Sequence, residues 1–128
     1  MSDFSDIIFE RFPTVRCGKG LTFRVRLRGY AGAMKLPCVY LLASHYHGTL
    51  YVGVTSDLPG RVWQHRNDCV HGFTRRYGVH ALVWYEPHDT MHDAISREKA
   101  IKEWRRAWKI RLIEARNPEW KDLFPSIL

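Results

Sequence analysis

Arg61 and His65, in the stretch SDLPGRVWQHR, are one helical turn apart and form the pair in this chain best suited to chemistry on an anion. Arginine offers a planar fork of donors to a phosphate, and histidine gains or loses a proton near neutral pH. At i and i+4 they share a helix face, which is also the ordinary place for solvated charges. Upstream, Tyr40 and Tyr51 stand on two short apolar runs, CVYLLA and LYVGVT, with ten residues between them. Their phenols can hold or relay a proton, or pack in a core as most strand aromatics do. Gly53 weakens LYVGV and marks a point where another group comes close. Glu98 lies within the apolar arc set by Ala94, Ile95 and Ile101, so its carboxylate turns towards the core or its rim. A charge there requires compensation, either from Lys102 one turn on or from a hard divalent cation such as Mg²⁺.

The elements that must position these groups can be read from pattern. CVYLLA and LYVGVT, joined by SHYHGT, predict an antiparallel hairpin. Ser56 or Asp57 then caps a helix, with Pro59 tolerated in its first turn. HGFTRRYGV reads as a Gly-punctuated basic loop and ALVWYE as a third strand ended by Pro87. A second helix opens at Thr90, where Thr90 and Asp93 resemble a capping box. It continues through RRAWKIRLIEAR after a bend near Arg105, until Asn117-Pro118 stops it. The order is β-β-α-β-α-α, an α+β sandwich. Trp104, Trp108 and Trp120 are expected in the core.

This patterned domain is expected over residues 37–125, followed by a tail at 126–128. Residues 1–36 are expected to be a loosely ordered extension holding one short strand, LTFRVRL. Met34, immediately before the patterned region, is a candidate start site, with residues 1–33 as an added arm or an over-extension of the reading frame.

The chain has 128 residues and a net charge of +7, which favours an anionic partner. Residues 1–37 hold seven Lys and Arg against three Asp and Glu, and all seven histidines lie beyond them. Lys102, Arg105, Arg106 and Lys109 recur at helical spacing and Arg75 with Arg76 sits in the basic loop; they read as solvated charge or as nucleic-acid contacts. No apolar run reaches the roughly 20 residues that cross a bilayer, and the acidic N-terminus lacks the build of a signal peptide. Three cysteines, with no CxxC spacing, point to free thiols in a reducing cytoplasm. No Ser-His-Asp arrangement, P-loop or dinucleotide fingerprint is present, and His45 with His47 is too few ligands for a metal site.

Taken in order, Cys38-Val39-Tyr40, Tyr51-Val52-Gly53, Arg61, His65, Glu98 within AISREKAIKEW, and Asn117 in NPEW resemble the GIY-YIG endonuclease family, over roughly residues 36–124. In the first signature Cys and Val replace Gly and Ile; in the second Val replaces Ile. VYLL, GTLYVGVTSDL and GFTRRYGVHALVWYE look like its small, stand-alone bacterial members. The resemblance implies a three-stranded antiparallel sheet flanked by helices and metal-assisted hydrolysis of phosphodiesters, most naturally in DNA, with RNA also open. It implies one Mg²⁺ or Mn²⁺ ion held by Glu98, with Arg61 offsetting charge on the phosphoryl oxygens and Asn117 holding the site's geometry. Tyr40 is the first choice to activate or orient the attacking water, with Tyr51 and His65 as competitors. His71, Arg75 and Arg76 are candidates for a further polar group. Targeting in this family usually comes from a second domain, so a separate targeting protein is an expected partner. The alternative is a catalytically silent nucleic-acid-binding module on the same fold.

Overall fold

The computed structural model describes residues 14–16, 22–24, 36–67, 69 and 72–127. Two short strands, β1 (Thr14–Arg16) and β2 (Thr22–Arg24), pair antiparallel, and β1 lies beside the first helix. Met34 and the rest of the N-terminal segment fall outside the described residues, so the start-site expectation does too.

The main sheet has three antiparallel strands in the order β4-β3-β5: β3 (Cys38–Ala43), β4 (Leu50–Thr55) and β5 (Ala81–Pro87). Its central strand explains the unbroken run CVYLLA, because every residue of β3 is buried and both of its faces are covered. Val39, Leu41 and Ala43 enter one core with Val83, Ala94, Ile101 and Ile113, and Cys38, Tyr40 and Leu42 enter a second with Leu58, Val62 and Leu82. The first core lies under α3 (Met91–Glu103) and α4 (Arg106–Glu114), the second under α1 (Leu58–Arg66) and α5 (Phe124–Ile127).

Local chemistry sets the helix ends. The Asp57 carboxylate accepts from Gly60 N at 3.3 Å, with Pro59 in the first turn, so Asp57 and not Ser56 caps α1. Thr90 Oγ1 accepts from Asp93 N at 3.1 Å to open α3. The expected bend is a full break: Trp104 and Arg105 take extended backbone between α3 and α4. Arg106 then donates to the carbonyls of His47 and Gly48, tying α4 to the β3–β4 turn.

Four expectations need correction. HGFTRRYGV is not all loop: Phe73–Tyr77 forms a short helix, α2, closed by Gly78 in the left-handed conformation (φ 65°). The segment past 125 is not a tail, because Ile127 packs into the α1-side core. Trp120 is buried as expected, but Trp108 is exposed. Cys38 is a free, buried thiol, whereas Cys69 is disulfide-bonded, which removes the free-thiol argument for a reducing compartment.

Candidate active site

The β3–β4 register sets Tyr40 opposite Gly53 and Leu42 opposite Tyr51, placing the two phenols on one face with ring centroids 6.3 Å apart. Gly53 is explained by its neighbour. A methyl group there would lie 2.4 Å from both Cζ and Oη of Tyr40, so the tyrosine ring fills the space a side chain would need.

Helix α1 brings in Arg61 and His65. His65 is not part of a solvated face: it is 1% exposed, with its ring 5.9 Å from Tyr40 and 5.3 Å from Tyr51. Its Nε2 lies 3.1 Å from Tyr40 Oη and its Nδ1 3.0 Å from Thr74 Oγ1. The proton positions follow from the neighbours. The Arg61 charge acts on the Tyr40 phenol, and the hydrogen-bond partner of the Tyr40 hydroxyl is His65 Nε2. A buried hydroxyl hydrogen needs an acceptor, and Nε2 is the one at hand. Nδ1 then carries the ring hydrogen and donates it to Thr74. Burial first, then the charges of Arg61 and His80, lower the His65 pKa to about 4, which leaves the ring neutral at pH 7. Burial also pushes the Tyr40 phenol well above its ordinary range; Tyr51 and Glu98 act in the same sense and Arg61 against them.

Glu98, on α3, is 8% exposed, and its Oε2 lies 2.6 Å from Lys102 Nζ. The salt bridge to Lys102 is therefore present, and the hydrogen bond raises the lysine's pKa. The carboxylate is not isolated from the rest of the site: its charge and that of Arg61 act on the same Tyr40 phenol. Among the described residues no group of three or more His, Cys, Asp or Glu could cage a metal ion. One buried carboxylate fits a hard cation that keeps several waters and takes a substrate phosphate oxygen; it does not fit a structural cage.

Asn117 lies apart from these groups. Its Nδ2 donates to the carbonyls of Val83 (3.1 Å) and Lys121 (2.9 Å), and its Oδ1 accepts from Lys121 N (3.0 Å). Val83 is the extra residue of β5 where the β3–β5 register shifts between Leu41 and Leu42. Asn117 thus pins a bulge beside the strand that carries Tyr40. Arg75 and Arg76 are exposed on α2; Lys102 is engaged with Glu98; Arg105 lies over Trp108, its Cζ 5.2 Å from the ring centroid; and Lys109 is half-buried on α4. His71 lies outside the described residues.

Thr74 is the residue the sequence reading missed. It sits between an aromatic and two arginines, bounded by Gly72 and Gly78, and reads as loop unless Gly78 is recognised as a helix C-cap. In the fold it is 2% exposed and fixes the orientation of His65.

A family model described as the GIY-YIG catalytic domain matches residues 36–111. A UPF0213 protein of Clostridium perfringens is 36% identical over 69 residues, covering 54% of this chain and 74% of its own. A UPF0213 protein of Staphylococcus aureus strain Mu3 is 39% identical over 70 residues, covering 54% of this chain and 84% of its own. No solved structure matches the chain significantly.

Proposed function

This chain belongs to the GIY-YIG catalytic-domain family, a family of nucleases, and from that premise we propose that it is a divalent-metal-dependent endonuclease that hydrolyses phosphodiester bonds in DNA. The observation that carries the reading is the buried hydrogen-bonded chain Tyr40–His65–Thr74, with the charges of Arg61 and of an inward carboxylate, Glu98, acting on the Tyr40 phenol. A core gains nothing from such an arrangement, and a binding module has no use for a hidden proton path.

Each group has a role that its surroundings support. Arg61 binds the non-bridging oxygens of the scissile phosphate and offsets the charge that grows there. Tyr40 Oη takes a proton from the attacking water as its own hydrogen passes to His65 Nε2, and the imidazolium that forms keeps its Nδ1–H on Thr74. A phenol held above its ordinary pKa range is a poor standing base but a workable relay, because it never has to exist as a free phenolate. His65 has a low basicity partly because of the Arg61 charge. A phosphate bound to Arg61 cancels that charge, so substrate binding makes the imidazole a better acceptor. Tyr51 packs against His65 and helps to exclude water, and Asn117 holds the strand behind the site.

Nucleases of this family generally use a divalent metal, and here Glu98 would hold it, with Mg²⁺ or Mn²⁺ as the ion. When bound it supplies charge for the leaving oxygen. A separate targeting protein belongs to the same proposal; no helix among the described residues is long and apolar enough to cross a membrane.

The test is a nicking assay on supercoiled, branched and single-stranded DNA with Mg²⁺ or Mn²⁺, comparing wild type with Glu98→Ala and Arg61→Ala. Metal-dependent cleavage lost in both folded variants is the expected result. Cleavage retained in both overturns the site, and wild-type binding without cleavage favours a silent binding module.

A further inference from the structure

A run of aromatic rings leads out of the site: Tyr51, at its inner end, packs against the α1-side core, and Phe73 and Tyr77 beyond it are exposed. Tyr51, half-buried beside His65, stacks on Phe73 at 6.3 Å with an interplanar angle of 27°, and Phe73 meets Tyr77 at 4.9 Å. Phe73 and Tyr77 are one turn apart on α2 and are 46% and 49% exposed. Neither ring is needed by the core that their neighbour Thr74 supports. Between them stand Arg75 and Arg76, both exposed, with Arg76 Cζ 5.5 Å from the Tyr77 ring centroid.

Two half-exposed aromatic faces flanked by arginines, continuous with a phosphate-handling site, form a surface with one well-matched chemical partner. We propose that Phe73 and Tyr77 are a stacking platform for an unpaired nucleobase adjoining the scissile phosphate. The substrate is then a single strand, or a duplex with a splayed nucleotide at the cut. The argument is geometric and electrostatic. A base in intact duplex has both faces covered by its neighbours, so it can reach these rings only by leaving the stack. An unpaired base presents a free π-face, and every base has one, so the platform selects strandedness and not sequence. Arg75 and Arg76 supply the positive charge that follows the backbone, which single and double strands share. The rings therefore carry the discrimination and the arginines the general affinity. This inference deepens the nuclease reading and rests on it for the position of the phosphate.

The experiment measures binding without cleavage, by fluorescence anisotropy in EDTA, of the full chain to a labelled strand of about 12 nucleotides and to a hairpin duplex of the same sequence. Phe73→Ala and Tyr77→Ala should each weaken single-strand binding by about fivefold to a hundredfold. Duplex binding should stay within about twofold of wild type. Phe73→Trp should restore single-strand affinity, and a strand of abasic nucleotides should make wild type and Phe73→Ala equal. Arg75→Gln with Arg76→Gln should weaken both substrates alike and flatten the salt dependence. Both aromatic positions are exposed, and an unchanged melting temperature shows that the variants fold. An equal loss on both substrates, or no loss on the strand, overturns the platform. Because no metal is present, these outcomes do not depend on catalysis: the nicking assay can fail while the platform stands, or succeed while it falls.

Discussion

The tightest structural commitment of the site is the contact between Gly53 and Tyr40, and Gly53→Ala tests it directly. The added methyl would lie 2.4 Å from Cζ and Oη of a ring that is itself buried. Carbon atoms in comfortable contact stand about 3.5–4.0 Å apart, so the ring or strand β4 has to move by about 1 Å. Overpacking of this kind costs about 1–3 kcal/mol, which for a domain of this size lowers the melting temperature by roughly 5 to 20 °C. A 1 Å shift of Tyr40 also stretches its 3.1 Å bond to His65 out of hydrogen-bond range, and misplacement on that scale costs about a hundredfold in rate. Thermal melts and single-turnover cleavage of the same protein read both effects. A double-mutant cycle locates the cause. Tyr40→Leu removes both clashing atoms, so Tyr40→Leu/Gly53→Ala should be more stable than the sum of its singles by at least about 1 kcal/mol. Tyr40→Phe keeps Cζ and should give no such relief. A Gly53→Ala protein with wild-type melting and cleavage refutes the packing account, and strict additivity in the Leu cycle refutes its attribution to Tyr40.

His65 makes stability depend on pH with a defined sign. Its folded pKa of about 4 lies below the ordinary 6.5, so the unfolded chain binds more protons between those values. The stabilisation is complete above about pH 6.5 and falls by up to about 3 kcal/mol towards pH 4; urea melts of wild type should lose it and those of His65→Gln should not. Thr74→Val leaves Nδ1–H without an acceptor, at a cost of about 1–3 kcal/mol in stability. It should also lower kcat more than KM and shift the pH–rate profile, while Thr74→Ser restores all three; an unchanged profile in Thr74→Val would reduce Thr74 to packing.

Much of the fold was legible because its signals are local. Asp57, Pro59, Thr90 and Pro118 act on the backbone within a few residues, so helix starts and stops appear in the sequence. The unbroken apolar run of β3 announced a strand covered on both sides. Glu98 stood out because a carboxylate on an apolar arc is costly without a partner, and Arg61 with His65 because an anion-gripping fork and a proton carrier near neutral pH share one helix face. What failed was short or cooperative. Phe73–Tyr77 is a single turn of helix, too brief for periodicity to show, and it persists because Gly78 can take a positive φ. Ile127 is three residues from Phe124, with which it enters the core, yet one apolar residue near a chain end carries no pattern.

The sequence by itself therefore determined which groups exist to do chemistry and which elements carry them, since residue type and helical or strand period are properties of neighbours along the chain. The tertiary structure decided how they meet. The hairpin register alone sets Tyr40 over Gly53, because a slip of one residue would turn every side chain to the opposite face. Packing of α1 and α2 on the same sheet face alone turns His65 from a surface residue into a buried link between Tyr40 and Thr74. A hydrogen bond between residues 25 apart depends on two elements closing on one core, and no local rule encodes that distance.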